Sequence, residues 1–165
     1  MRRDAEIDLS GIYRYSLTRC WDEKRGKVVF VLLNPSVADK FIDDNTVKKC
    51  IGFAKLWGYG SLEIVNLFAF RAMNPQDLKS ANEPIGAENN RYILDAVKSA
   101  QLVVVGWGNN CSMWGKHHQN SQRSHQVLAL LRDHNPHFLA MTKKGHPKHP
   151  LYVEYETKLN CYFTP

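Results

Sequence analysis

The sequence contains no apolar run near the ~20 residues that a membrane-spanning helix needs, and no apolar signal core follows Met1-Arg2-Arg3-Asp4. We therefore expect no membrane association and a cytoplasmic location. The sequence also lacks internal repeats, low-complexity segments and linkers. A chain of 165 residues without such breaks is expected to form one domain, residues 1–165.

The four cysteines show no Cys-x-x-Cys spacing, which favours free thiols in a reducing compartment. No pair among the seven histidines has the spacing of a helical zinc site, so we expect neither a metal nor a cofactor. One metal alternative stays open. It is a metal-dependent hydrolase that uses His146, His149 and the Asp43/Asp44 pair.

Basic residues outnumber acidic ones, 22 to 16, which gives a formal net charge of +6. Such an excess favours a polyanionic partner, DNA or a nucleotide, through attraction to phosphates. A soluble protein that is basic for no functional reason is an equally good explanation. The oligomeric state cannot be deduced from composition.

Four short apolar runs each end in a small polar cluster. The runs and their endings are Val28–Leu33 with 34–36, Leu62–Val65 with Asn66, Leu102–Val105 with 106–109, and Phe138–Met141 with 142–150. Three segments with helical periodicity lie between the runs. One starts at Asp44 or Asn45, one follows Gly86, and one is closed by His134. This alternation predicts a three-layer α/β/α fold with a central, mostly parallel four-stranded sheet.

An additional strand over residues 12–21 is expected to pair antiparallel with residues 28–33 across the charged turn 22–27. In a parallel sheet the four polar endings meet at one edge, which is where open α/β sheets bind their ligands. The endings are therefore the candidate functional residues.

The first three endings supply amides and an indole. Asn34, followed by Pro35 and Ser36, can orient a water or hold a carbonyl, or it can cap its own turn. Asn66 can read the edge of a nucleobase, with turn chemistry as the alternative. Trp107 can stack on a planar ligand, although a large aromatic at a strand end is more often part of the core.

The fourth ending is a stiff cationic loop. It contains Lys143, Lys144, Lys148, His146 and His149, and a proline follows each histidine. The lysines can neutralise phosphates, and the prolines restrict where the imidazoles point. A solvated basic loop is the alternative. Capping of the following helix is the better explanation for at least one of Asp43 and Asp44.

Several of these motifs resemble a known family. Five stretches carry the resemblance: Leu32–Ser36, Asp43–Thr46, Gly52–Gly60, Asn66–Ala69 and Gly145–Tyr152. They resemble the bacterial and phage family catalogued as domain of unknown function 1643, and the likeness runs from about Tyr13 to Tyr152. The family name supplies no reaction.

The ordered endings also resemble, more distantly, the motifs of the uracil-DNA glycosylase superfamily. Asn34-Pro35, Asn66, Trp107-Gly108 and His149-Pro150 match its first motif, its base-reading asparagine, its third strand end and its catalytic-loop histidine. The resemblance implies a uracil-DNA-glycosylase-like fold and hydrolysis of an N-glycosidic bond to a pyrimidine or modified base, in DNA or in a nucleotide.

Residue roles follow from the same resemblance. Asn34 would position the water, and His149 would hydrogen-bond the departing base. Asn66 would select the base, in a pocket with Trp107, Pro35 and Ser36, while the loop lysines and His146 would contact phosphates. The alternative is a non-catalytic module that binds nucleic acid or a nucleotide.

Overall fold

The computed structural model describes residues 1–164, and in this part of the chain seven β-strands form one sheet and four α-helices pack around it. The strands are β1 (Arg2–Ile7), β2 (Arg14–Cys20), β3 (Lys27–Leu32), β4 (Ser61–Asn66), β5 (Leu102–Val105), β6 (His137–Phe138) and β7 (Asn160–Cys161). The helices are α1 (Asn45–Leu56), α2 (Pro75–Ser80), α3 (Asn89–Lys98) and α4 (Arg123–Leu131).

The strand order across the sheet is β1-β2-β4-β3-β5-β6-β7. Three neighbouring pairs are antiparallel, β1 with β2, β2 with β4, and β6 with β7. The other three are parallel, β4 with β3, β3 with β5, and β5 with β6. The sheet is therefore mixed.

The predicted fold class is wrong. The sequence predicted a central, mostly parallel sheet of four strands with one antiparallel strand, as in uracil-DNA glycosylases, whereas the sheet has seven strands and half of its pairings are antiparallel. The two missed strands, β1 and β7, lie at the sheet edges. β1 alternates charged and half-buried residues, and β7 has only two exposed residues, so neither carries the apolar signal of a buried strand.

The expected hairpin between residues 12–21 and 28–33 does not form. β2 pairs with β4, because both edges of β3 are already occupied by β4 and β5. The connecting turn crosses the start of β4 at Gly60, whose carbonyl accepts hydrogen bonds from the N–H groups of Trp21 (2.9 Å) and Asp22 (3.0 Å). A side chain at Gly60 would collide with the carbonyl of Asp22.

The last strand is shorter than the predicted run of residues 138–141. β6 pairs with β5 at one register position, Val104 opposite His137. Beyond Phe138 the chain turns away from β5, and the carbonyl of Ala140 accepts a hydrogen bond from Lys148 N–H (2.8 Å). This departure from the ladder forms the base of the cationic loop.

Strand β3 is the centre of the core. Val29 and Val31 face one apolar cluster, which α3 and α4 cover, and Val28, Phe30 and Leu32 face a second cluster covered by α1. All five side chains are 2% exposed or less. Helix α1 begins as predicted, since the Asp44 carboxylate accepts a hydrogen bond from Val47 N–H (2.9 Å) and caps the helix. No helix in residues 1–164 is long and apolar enough to cross a membrane.

Arg19 anchors the segment that leads into α1. Its side chain is fully buried, its Nε donates to the Asp43 carboxylate (2.8 Å), and its Nη1 donates to the carbonyl of Thr18 (2.8 Å). Asp43 also pairs with Arg3 (2.9 Å). Asp43 therefore has a structural role, and its neighbour Asp44 is left to face the end of β3.

We expect Arg19→Met to lower the free energy of unfolding by about 3 kcal/mol or more, because it leaves buried acceptors without a donor. Arg25→Met is the matched control. Its pair with Asp22 is largely exposed, so its loss should stay below about 1 kcal/mol. Urea unfolding of both variants measures the difference, and equal losses would contradict the anchoring role.

Candidate functional site

A cleft of about 560 Å³ opens where β3 and β5 end. The polar endings that line it are Asn34, Ser36, Gly108, Asn109, Thr142, Lys148 and His149. Beneath it lies an inner chamber of about 40 Å³, which shares five lining residues with the cleft: Asn34, Ser36, Asp44, Thr46 and His149. Asn66 lines this chamber and not the cleft. The structure thus brings residues from four separate strand ends to two adjoining spaces.

The side chain of Asn34 is held in one orientation. Its Nδ2 donates to the carbonyls of Pro35 and Ala72, both at 2.9 Å. Because a backbone carbonyl can only accept a hydrogen bond, the end of the amide that faces both carbonyls must be the nitrogen. No hydrogen bond from residues 1–164 reaches Oδ1. The free oxygen of Asn34 is an acceptor on the wall of the cleft.

The cationic loop sits close to the end of β5 because Gly106 has no side chain. A Cβ at Gly106 would lie 2.9 Å from Pro150 Cδ and 3.1 Å from the carbonyl of Lys148. Gly108, with a φ of 74°, donates its N–H to the carbonyl of Pro147 (2.8 Å). These contacts fix the loop residues that reach the cleft.

His149 presents one defined nitrogen to the cleft. Its Nδ1 accepts a hydrogen bond from Leu151 N–H (3.2 Å), so Nδ1 carries no proton. Burial lowers the pKa of His149 to about 4, against an opposing effect of the Asp44 charge. At neutral pH the ring is therefore uncharged with its proton on Nε2, and Nε2–H is a hydrogen-bond donor.

Asn66 is the last residue of β4 and is 1% exposed. Its backbone carbonyl accepts from Asn89 Nδ2 (2.9 Å), which anchors the strand end to α3. Both ends of its side-chain amide lack a hydrogen-bond partner among the described residues. Each such buried group costs about 1–3 kcal/mol when it is left unpaired, and that cost is removed by a ligand or a water.

Arg14 is a second buried polar group of the inner chamber, and the sequence reasoning missed it. It is 3% exposed, and Nη1 donates to the carbonyl of Ala38 (2.9 Å). Within residues 1–164 its Nε has no partner. Burial lowers the pKa of Arg14 to about 10, which still leaves the guanidinium charged at neutral pH. The pattern of β2 predicted a strand, but no sequence signal shows which arginine of a strand faces a ligand.

Asp44 was predicted only as a helix cap or as part of the metal alternative, not as a residue of the base-binding site. Besides capping α1, it lines both the cleft and the chamber, and Oδ1 alone is engaged by the helix. Burial lowers the pKa of Arg14 and of His149, and the negative charge of Asp44 opposes that lowering in both. The sequence signal for capping was correct and hid the second role.

The remaining predicted base-pocket residues divide. Ser36 lines the cleft and the chamber. Trp107 touches the cleft but is 2% exposed and packs in the core, as its alternative explanation held. Pro35 is buried, and its carbonyl accepts from Ala72 N–H (2.9 Å) and from Asn34. Pro35 thus shapes the turn that holds Asn34.

The predicted phosphate-binding residues divide as well. Lys148 lines the cleft. Lys143 and Lys144 occupy the exposed tip of a turn closed by a hydrogen bond from Gly145 N–H to the carbonyl of Thr142 (3.0 Å), and they do not line it. His146 turns inward, with Nδ1 3.3 Å from Cys111 Sγ. Burial raises the pKa of that thiol to about 11, so Cys111 stays protonated and is not a nucleophile.

The proposed metal-ligand set does not come together. Asp43 is paired with Arg19 and His146 contacts Cys111, so only Asp44 and His149 share the cleft. Among residues 1–164 no three His, Cys, Asp or Glu side chains gather in a way that could hold a metal ion.

Three further cleft residues come from segments that the sequence reasoning treated as loops. Met73 and Asn74 precede helix α2, whose start is marked by Asn74 as the cap, Pro75 in the first turn and Asp77. This is a standard helix-start pattern that could have been recognised. Met73 and Tyr152 are 78% and 70% exposed and provide an apolar rim.

Comparison with known proteins identifies a family and nothing beyond it. Residues 14–151 match the family described as protein of unknown function (DUF1643). The chain belongs to this family. No curated protein matches the chain, and no solved structure matches it.

We expect His149 to titrate with a midpoint near pH 4 and to carry its proton on Nε2, as measured by ¹H–¹⁵N NMR of the imidazole. Asp44→Asn should lower the midpoint further, because the carboxylate charge raises it, and asparagine still caps the helix. A protonated Nδ1 at pH 7, or an imidazolium at pH 6, would contradict the assignment.

The same shift has a consequence for stability. An unfolded histidine titrates near 6.5, so the unfolded chain takes up this proton first, and stability falls as the pH drops from 6.5 toward about 4. His149→Gln should show a smaller loss over this window in urea unfolding.

Proposed function

We propose that this protein hydrolyses an N-glycosidic bond to a pyrimidine or modified base, in DNA or in a nucleotide. The observation that carries the proposal is the joint arrangement of a free Asn34 Oδ1, a neutral His149 with Nε2–H and the unpaired Asn66 amide around two adjoining spaces that share five lining residues. The motif likeness to the uracil-DNA glycosylase superfamily supports the same reaction.

In the proposed reaction the bond between the sugar C1′ and the base nitrogen breaks, and its electron pair leaves with the base. His149 Nε2–H donates a hydrogen bond to the base oxygen on which negative charge develops. Asn34 Oδ1 accepts a hydrogen bond from a water whose oxygen attacks C1′. The water's proton passes to the free oxygen of Asp44 and then to solvent, and the base anion takes up a proton from solvent.

Substrate entry limits the possible substrates. The inner chamber is too small for a whole ring, so only the edge of the base enters it while the remainder lies in the larger cleft. A nucleotide in duplex DNA would have to leave the stack, whereas single-stranded DNA and free nucleotides need no such step. The apolar rim of Met73 and Tyr152 offers a surface against which an unstacked base can pack.

We expect Asn34→Ala and His149→Gln each to lower kcat by about 10²-fold or more. The assay is base release from uracil-containing and modified single- and double-stranded oligonucleotides, and from nucleotides and nucleosides. Asn90→Ala and His125→Gln are matched controls at exposed positions outside the cleft. If no substrate of the panel releases a base, or if release survives Asn34→Ala, the proposal is wrong.

Asn34→Asp sharpens this experiment. An aspartate elsewhere would be the better group to activate a water, but here an anionic oxygen would replace the Nδ2 that donates to two carbonyls. We therefore expect Asn34→Asp to lower activity and stability. A gain in kcat would show that the amide is not held as described.

A non-catalytic module that binds nucleic acid or a nucleotide is the second candidate. It is favoured by the amide at position 34, where a water-activating carboxylate would be expected, and by the placement of Lys148 in the cleft. This function predicts binding without base release in the same panel.

Both functions predict that Lys148→Ala weakens binding of a fluorescent single-stranded oligonucleotide more than Lys143→Ala does, because only Lys148 lines the cleft. The slope of log affinity against log salt should fall by about 1 for Lys148→Ala if this lysine contacts a phosphate. Fluorescence anisotropy at several salt concentrations measures it. Equal effects of the two variants would place the nucleic acid elsewhere.

A further inference from the structure

We propose that Arg14 is the specificity-determining residue of the inner chamber. Its Nε–H donates a hydrogen bond to a carbonyl oxygen attached to the base ring, and it excludes an amino group attached at the same position. The inference rests on the proposed function in taking the cleft as a nucleobase site. It goes beyond that function by assigning the ring class, oxo-substituted rather than amino-substituted, and the residue that selects it.

Asn66 does not by itself discriminate between oxo-substituted and amino-substituted bases. A side-chain amide presents a donor at one end and an acceptor at the other, and rotation by 180° exchanges them. Asn34 is prevented from this rotation by two backbone carbonyls, but neither end of the Asn66 amide has a partner in the described chain. Asn66 can therefore face an oxo-substituted or an amino-substituted edge equally well.

Arg14 lacks this freedom. A guanidinium has only donors, so no rotation turns Nε–H into an acceptor. Arg14 lines the same 40 Å³ chamber as Asn66, and its Nε is buried without a partner among the described residues. The side chain is held in place by Nη1, which donates to the carbonyl of Ala38 at 2.9 Å.

The ligand edge follows from the three groups together. His149 Nε2–H and Arg14 Nε–H are fixed hydrogen-bond donors. The Asn66 amide adds one donor and one acceptor. Two fixed donors require two carbonyl oxygens on the base, as in a dioxopyrimidine. An amino group facing Arg14 would place two donors against each other and leave a buried N–H unpaired, which binding sites reject strongly.

The experiment is an NMR titration with free bases in two matched pairs, uracil against cytosine and thymine against 5-methylcytosine. We expect the wild-type protein to prefer the oxo-substituted member of a pair by roughly 10-fold to 100-fold. Arg14→Lys, which keeps only donors, should retain the preference. Arg14→Gln can accept as well as donate, and its preference should fall to about 2-fold.

Arg71→Gln is the matched control, because Arg71 is a cation close enough to affect Arg14 but lines neither the cleft nor the chamber. It should leave the preference unchanged. Circular dichroism shows whether each variant is folded. A second readout needs no variant: the ¹H–¹⁵N resonance of Arg14 Nε should shift on addition of uracil and not of cytosine.

The inference is overturned if no base binds, if cytosine binds as well as uracil, if the Arg14 Nε resonance does not respond, or if folded Arg14→Gln keeps the preference. Its failure is distinguishable from failure of the proposed hydrolysis. An Arg14-dependent preference without base release would refute hydrolysis alone, and base release without the preference would refute the role of Arg14 alone.

Discussion

The position of the cleft depends on the complete burial of strand β3, which has neighbouring strands along both edges and apolar clusters on both faces. A strand enclosed in this way can expose polar groups only where it ends, so the chain leaves the sheet at Leu33 and presents Asn34 at once. The parallel neighbours end at nearly the same level, β4 with Asn66 opposite Leu32 and β5 with Val105 opposite Val31. The burial of β3 and the clustering of polar groups at its end therefore have the same cause.

The parts of the fold that the sequence predicted are those with strong apolar or capping signals. Val28–Leu33 identified the central strand, and Asp44 identified the start of α1. The sheet as a whole was not predictable in the same way, because β1 and β7 are held by backbone pairing at the edges and contribute little apolar surface. Pairing of β2 with β4 instead of β3 is a long-range choice, fixed by the space that Gly60 leaves for the turn.

The candidate site shows a similar division. Residues that follow strands, such as Asn34, Asn66 and His149, could be named from the sequence because the strand ends are visible in it. Arg14 could not, and Asp44 was named only as a cap or as part of a metal site that does not form. The position of each depends on which way a side chain points within an element whose pattern is explained by packing or capping. The same reasoning failed in the opposite direction for His146, which looks like a ligand-binding histidine and packs against Cys111.

Asp44 ties the chemistry of the cleft to the folding of helix α1. One carboxylate oxygen holds the Val47 N–H of the first turn while the side chain also lines the space that a ligand would occupy. Any event that changes the charge or position of this carboxylate alters the capping energy, and fraying of the first turn withdraws the carboxylate from the cleft. Occupancy of the cleft and the helical state of residues 45–48 are thereby linked thermodynamically, so a change in either one shifts the other.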